Sequence, residues 1–239
     1  MSEEPTKPKI VFDNYACTIV SVKDQMDNLR IIQFRLDDKK IDFIAGQYVS
    51  VILEGVRPAP FSIASSPILH NTIELGIEIT GGPVTSKIKQ AVVGDKAVLR
   101  GPFGTFVLKD EKKVCFLAGG VGITPFMSML RWMRDTNQDI HATLIYSCRQ
   151  EQQFLWIKEL EEMTHICPNI KIVLTCTRET PADWKHHLGR IDEKMVKEVL
   201  PDFMENTFYS CGPPVLIDAM FDLLKKMGVP ENQCKKEDW

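Results

Sequence analysis

Gly119, Gly120 and Gly122 stand where the apolar run Val114-Cys115-Phe116-Leu117-Ala118 stops and a helical pattern starts at Pro125. Glycines so placed let the backbone turn sharply and approach an anion closely, and the amides at the start of the following helix favour negative charge. The chemistry of such a turn is the holding of a nucleotide pyrophosphate. Pro125 occupies the place of the third glycine of a dinucleotide fingerprint, and glycine turns also open many strand–helix units for purely structural reasons, so both readings stand at this point. Metal chemistry has less support. Cys17, Cys115, Cys148, Cys167, Cys176, Cys211 and Cys234 are scattered without a C-x-x-C pair, which argues for reduced thiols and against a zinc site or a Cys-ligated iron–sulfur cluster. The histidines, including the pair His186-His187, lack a ligand arrangement and read as solvated loop residues.

The elements that must position the turn follow from periodicity. Tyr15–Val22, Leu29–Leu36, Gln47–Leu53, Phe61–Ser65, Thr72–Thr80 and Lys96–Arg100 alternate as strands between turn residues, and six such short strands predict an antiparallel barrel. One helix, Val84–Val92, interrupts them between Gly81-Gly82-Pro83 and Gly94-Asp95. After the charged run Lys109-Asp110-Glu111-Lys112-Lys113 strands alternate with helices. Strand Val114–Ala118 leads to helix Pro125–Asp135, Ala142–Tyr146 to Phe154–Met163, Lys171–Thr175 to Asp192–Leu200, and Thr207–Ser210 to Pro213–Met227. Such alternation predicts a Rossmann-like parallel sheet with right-handed crossovers and ligands at the carboxyl ends of its strands. The charged run is the expected boundary between a domain over residues 10–109 and a second over 110–239.

Composition sets the class. A chain of 239 residues, 44% hydrophobic and 26% charged, has the make-up of an ordinary globular protein with a sizeable core. A net charge of −3 supplies no basic field for nucleic acid and no polybasic segment for an anionic membrane surface. The polar run Met1–Lys9 and the absence of any apolar run of spanning length point to the cytoplasm.

Four further clusters accompany the glycine turn: Arg57-Pro58-Ala59-Pro60-Phe61-Ser62-Ile63-Ala64-Ser65, Gly82-Pro83-Val84-Thr85-Ser86-Lys87-Ile88, Gly101-Pro102-Phe103-Gly104-Thr105-Phe106 and Cys211-Gly212-Pro213-Pro214. In this order, over roughly residues 12–239, they resemble the ferredoxin–NADP⁺ reductase superfamily of flavoproteins. The resemblance implies an FAD-binding barrel followed by a NAD(P)-binding domain, with hydride passing from nicotinamide to flavin between them. It gives Phe61 an isoalloxazine ring to stack on and Ser62 a hydroxyl near flavin N5. Pro60, Ile63, Ala64, Ile79 and Thr80 join the flavin-binding set. Gly82, with the amides of Val84, Thr85 and Ser86 and the Thr85 hydroxyl, would hold the flavin diphosphate; a plain helix cap is the other reading.

In the second domain the resemblance gives Gly119, Gly120, Gly122, Ile123 and Thr124 to the NAD(P) pyrophosphate, and sets Cys211, Gly212 and Pro213 beside the nicotinamide. Cys211 would shape the hydride-transfer pocket and need not act as a nucleophile. Where the family usually carries a basic residue before the stacking aromatic, this chain has Ala59. Arg57 lies two positions upstream, a spacing that on a strand returns to the same face and could reach the flavin phosphates. Arg149, Thr177 and Arg178 follow strand ends with no acid directly at the first, which suits the 2′-phosphate of NADPH; weak ion pairs with Glu151 and Glu179 are the alternative. The chain closes Lys235-Lys236-Glu237-Asp238-Trp239, and related chains often end in an acidic residue and an aromatic near the flavin, a role that falls to Trp239.

The implied activity is that of an FAD-dependent NAD(P)H oxidoreductase delivering electrons to ferredoxin, an oxygenase component, a haem protein or free flavin. Two rivals are a flavin reductase whose flavin is a dissociable substrate, which Ala59 fits by weakening phosphate binding, and a non-catalytic electron-transfer subunit of a larger redox complex.

Overall fold

The computed structural model describes residues 12–178 and 183–237; Met1–Lys9, Glu179 and Trp239 lie outside them. The first half is built from β1 (Asp13–Met26), β2 (Leu29–Leu36), β3 (Tyr48–Ile52), β4 (Ala59–Ser62), β5 (Thr72–Glu78) and β6 (Lys96–Phe103). These pair antiparallel in the order β4-β3-β6-β1-β2-β5. Alternation drives the curl: Tyr15, Cys17 and Ile19 of β1 point inward with Phe34, Val49, Leu75 and Leu99, leaving polar neighbours outside. The barrel nearly closes where the chain leaving β4 meets β5. There the Ala64 amide donates to the Glu74 carbonyl at 2.8 Å and the Glu74 amide to Ser65 Oγ at 3.2 Å.

Helix α1 (Pro83–Gln90) buries Val84, Thr85 and Ile88 against this core. Its carboxyl end is fastened by Arg30, 9% exposed, whose guanidinium donates to the Ile88, Lys89 and Ala91 carbonyls and pairs with Asp24.

The second half carries β7 (Lys113–Gly119), α2 (Ile123–Asp135), β8 (His141–Cys148), α3 (Ile157–Ile166), β9 (Ile170–Cys176), β10 (His187–Leu188), α4 (Glu193–Val199), β11 (Thr207–Cys211), α5 (Pro214–Lys226) and β12 (Cys234–Lys236). The strands are parallel in the order β10-β9-β8-β7-β11-β12. β7 and β8 are buried almost without interruption, because α2 and α3 cover one face and α4 and α5 the other. The core under α2 also takes in Leu29, Ile31, Ala45, Ala64 and Phe106, so the two halves share apolar packing. Phe106, on the connector leaving β6, sits 5.8 Å from the Phe126 ring and 5.4 Å from Tyr209.

Several elements differ from the periodicity reading. Helix α2 begins at Ile123, two residues before Pro125, after a single 3₁₀ turn over Gly120–Gly122. The helix expected from Phe154 starts at Ile157, because Trp156 takes a left-handed conformation with φ 54°. β10 and β12 went unpredicted, being too short to show a period of two. His187 pairs in β10, and the His186 ring lies 4.8 Å from that of Trp184, so the histidine pair is anchored.

The contacts of Arg30 generate a prediction. Arg30→Met strands three helix-end carbonyls and should destabilise the protein by about 2–3 kcal/mol, read as a lower denaturation midpoint with an unchanged slope.

Candidate active site

Two turns meet at the carboxyl ends of neighbouring strands. β7 and β11 pair with Ala118 opposite Cys211, and each runs straight into a glycine turn. A Cβ on Gly122 would fall 2.3 Å from the Cys211 carbonyl oxygen and 2.6 Å from the Gly212 Cα, so only glycine fits there. Gly120 is glycine for another reason: its φ is +53° and nothing lies within 4 Å of its would-be Cβ.

Beyond the turns lies a cleft of about 500 Å³. Gly119, Gly120, Ser147, Thr177 and Pro213 line its strand-end wall, and Leu29 and Glu78 of the barrel face them. Arg149, Arg178 and Arg190 are exposed on the lining, and none makes an ion pair among the described residues. Thr177 commits its amide and hydroxyl to the Cys148 carbonyl, at 2.9 and 3.3 Å.

The seam between the halves brings three polar side chains together. Ser62, at the end of β4, places Oγ 3.4 and 3.3 Å from the two carboxylate oxygens of Glu237, and the Cys211 thiol donates to Glu237 Oε2 at 3.1 Å. All three are buried, Glu237 at 6% exposure. β12 explains how a residue so near the chain end arrives there: it pairs with β11, and the Glu237 amide donates to the Ser210 carbonyl at 3.2 Å. Burial, followed by the charge of and hydrogen bond to Glu237, pushes the Cys211 thiol well above its ordinary pKa. Cys211 is therefore a neutral donor.

At the barrel, Phe61 is half-buried on β4, and Gly82 caps α1 without a side-chain bond. The amides of Val84 and Thr85 have no intrahelical partner and no acidic residue stands in the first turn, so nothing at this end repels an anion. With Phe61 and Ser62 these residues fit a flavin dinucleotide, as the cleft fits a nicotinamide nucleotide.

Several expected roles need correction. Ser86 donates its amide to the Gly82 carbonyl at 2.8 Å, and the Thr85 hydroxyl donates to the same carbonyl at 3.1 Å, so neither is free for an anion. Thr80 lies 3.4 Å from Thr85, oxygen to oxygen. Ile63 and Ala64 are fully buried and give their amides to Gln47 and Glu74, which removes them from any contact through side chain or amide. Thr124 is 2% exposed and its hydroxyl donates to Val121 at 2.6 Å, while the Ile123 amide closes the 3₁₀ turn; their reason for being there is the helix start. Arg57 is exposed and precedes β4, so strand alternation does not carry it to the face of Phe61. Pro60 is exposed on β4, and Ile79 continues the barrel through its amide bond to Asn28 at 2.8 Å.

Sequence reasoning passed over Glu237, although it singled out the closing acidic run, and Arg190, which sits in a loop with no periodicity. Glu78 and Leu29 were read only as barrel strand.

Residues 16–108 match the family described as the Oxidoreductase FAD-binding domain and residues 116–222 the Oxidoreductase NAD-binding domain. The chain is 30% identical over 228 residues to the glycine betaine monooxygenase reductase subunit of Pseudomonas aeruginosa, covering 91% of this chain and 62% of that protein. The chain thus spans less than two thirds of that relative's length. Among solved structures, an Amycolatopsis cytochrome P450 reductase superposes with a TM-score of 0.86 at 21% identity, covering 97% of this chain and 71% of its own. A Neisseria gonorrhoeae ferredoxin NADP⁺ reductase with bound FAD and NADP gives 0.79 at 20% identity, covering 94% and 98%. These two show the same fold. No helix among the described residues is long and apolar enough to cross a membrane.

The buried thiols make a pH prediction. Burial pushes Cys17 and Cys148 up to about 12 and also raises Cys115 and Cys211. In the unfolded chain each ionises near about 8.5, so above that pH the unfolded state sheds protons the folded state keeps. Stability should hold below about pH 8 and fall above about pH 9, by up to about 1.4 kcal/mol per pH unit for each thiol. Urea midpoints between pH 7 and 10.5 check this, and a Cys115→Ala variant should fall less steeply.

Proposed function

We infer the function of this chain from its family: it belongs to the ferredoxin–NADP⁺ reductase superfamily of flavoproteins. The activity proposed is an FAD-dependent NAD(P)H oxidoreductase that takes a hydride from reduced nicotinamide and passes electrons to an acceptor. The observation that carries it is the meeting of Ser62, Cys211 and Glu237 beside the nucleotide cleft, with a residue from each half of the chain.

Bound flavin supplies the redox chemistry, accepting a hydride and releasing electrons singly or in pairs. The residues supply the rest. Phe61 offers a ring face, and the first-turn amides of α1 hold the diphosphate. Ser62 donates its hydroxyl proton to Glu237, which fixes Oγ at the seam. Cys211, neutral and packed against Gly122, walls the nicotinamide site and excludes water. Arg149, Arg178 and Arg190 bind the 2′-phosphate, which makes NADPH the donor.

By likeness to the reductase subunit named above, the acceptor is a protein redox partner. A dissociable flavin is the second reading, favoured by Ala59 and by Arg57 lying off the strand.

An anaerobic absorption spectrum with NADPH and then NADH tests the proposal. Flavin bands that bleach faster with NADPH are expected; a colourless protein that acquires no flavin spectrum on adding FAD would overturn it, and loss of colour during purification would favour the second reading. Arg178→Ala and Arg190→Ala should each raise the Kd for NADPH roughly 10-fold or more and leave NADH nearly unchanged, because each removes a charge-assisted bond to phosphate alone.

A further inference from the structure

One side chain ties the barrel to the nucleotide-binding half at several points. Arg131 projects from α2 and is 11% exposed at its side chain. Its Nη1 donates to the Ala64 carbonyl at 2.9 Å and to Glu74 Oε1 at 2.8 Å, both in the barrel. Its Nε and Nη2 donate to the two oxygens of Glu159 on α3, at 2.9 and 2.6 Å. Trp156 lies against the guanidinium, 5.5 Å from ring centre to Cζ, and its indole donates to Glu74 Oε1 at 2.9 Å. Arg134 balances the second carboxylate, donating to Glu159 at 3.0 Å.

The rest of that helix face points the same way. Thr124, Ser128 and Arg131 recur at helical spacing. Ser128 Oγ donates to the Ser65 carbonyl at 2.7 Å. Thr124 and Trp156 close over Gly76 of β5, where a Cβ would lie 3.0 and 2.8 Å from them. The barrel segment so gripped is the one leaving Ser62, and α2 is the helix that starts at Gly122, against Cys211. A continuous chain of contacts thus runs from Ser62 through Ala64 and Arg131 down α2 to Cys211.

We propose that Arg131 is a positioning residue that sets the spacing of Ser62 from the Cys211–Glu237 pair and thereby the geometry of hydride transfer; the proposal rests on the oxidoreductase reading above. A forked guanidinium is suited to the task, since it reaches a carbonyl and two carboxylates at once, which a lysine ammonium on a flexible stem does not. Displacements of about 1 Å in a reacting pair can lower rates 10²-fold, so a residue that never touches the reactants can govern the rate.

The test compares Arg131→Met, Arg131→Lys and Glu74→Gln with wild type by two readouts. The first, on protein without added nucleotide, is hydrogen exchange of the amides of Ile63 and Ala64. Arg131→Met should exchange there at least roughly 10-fold faster, with the remaining barrel strands unchanged. The second is the flavin reduction rate constant at saturating NADPH. It should fall roughly 10-fold or more in Arg131→Met, with flavin content intact and the nucleotide Kd within about threefold, and Arg131→Lys should recover part of it. The Arg131→Met/Glu74→Gln pair should be no worse than the poorer single variant, as expected for groups acting as a unit.

A wild-type rate constant in flavin-loaded Arg131→Met, or exchange that rises evenly over the whole barrel, would overturn the proposal. Should Arg131→Met fail to fold, Ser128→Ala removes one anchor of the same segment, and its smaller drop in rate constant is the expected result; a wild-type rate there counts against the idea. A wild-type protein that binds no flavin fails the oxidoreductase reading itself, whereas normal reduction of every variant fails the positioning inference alone.

Discussion

The turn leaving β7 and the turn leaving β11 press together at Gly122 and Cys211, and the chemistry of the chain is arranged around that contact. Neighbouring parallel strands lie about 4.8 Å apart, so turns at their ends collide unless one yields its side chain. Here both yield: residue 122 is glycine against the Cys211 carbonyl, and residue 212 is glycine where a Cβ would fall 3.0 Å from the Gly119 carbonyl oxygen. Because α2 starts at the contact, its direction is set there. The helix then runs to the barrel, where Ser128 and Arg131 meet the segment leaving β4. The same contact aims the Cys211 thiol at the seam, where Glu237 receives it.

That geometry gives the site two chemically different regions. At the seam, the buried Glu237 accepts from the Cys211 thiol and the Ser62 hydroxyl. The cleft is lined instead by Arg149, Arg178 and Arg190, exposed and outside any ion pair among the described residues. On the proposed function, the phosphates would lie at the arginines and the nicotinamide at the seam.

Much of the fold was legible because its signals are periodic. β2 runs Leu29–Leu36 as alternation predicted, and the apolar runs at β7 and β8 announced strands covered on both faces. What escaped notice was non-periodic. β10 and β12 are too short to show alternation, yet β12 delivers Glu237. The left-handed Trp156 cuts the start of α3 because tertiary contacts hold it, and no local propensity announces such a residue. For the site, motif spacing pointed to segments, and the structure shows several of their polar atoms already engaged. Thr124, Thr85 and Ser86 stand at helix starts with the polar groups a phosphate needs, and their own turns already use those groups. Spacing reports which residues neighbour one another; it does not report which donors are already taken.

The barrel end of the site illustrates how a missing cation is compensated. With Ala59 on β4 and Arg57 ahead of the strand, β4 itself carries no basic side chain beside Phe61, and on the proposed function the diphosphate would fall to the start of α1. A helix end contributes about 0.3–1 kcal/mol towards an anion at a surface and about 2 kcal/mol in a partly buried setting, less than a bidentate guanidinium gives. Such a site gains most from being held still, since an amide that moves loses its alignment with the anion. Arg30 supplies that at the far end of the helix, gathering the carbonyls of Ile88, Lys89 and Ala91 while pairing with Asp24. On the proposed function, Arg30 thus stands at the opposite end of α1 from the amides that would hold the diphosphate and fixes the helix that carries them.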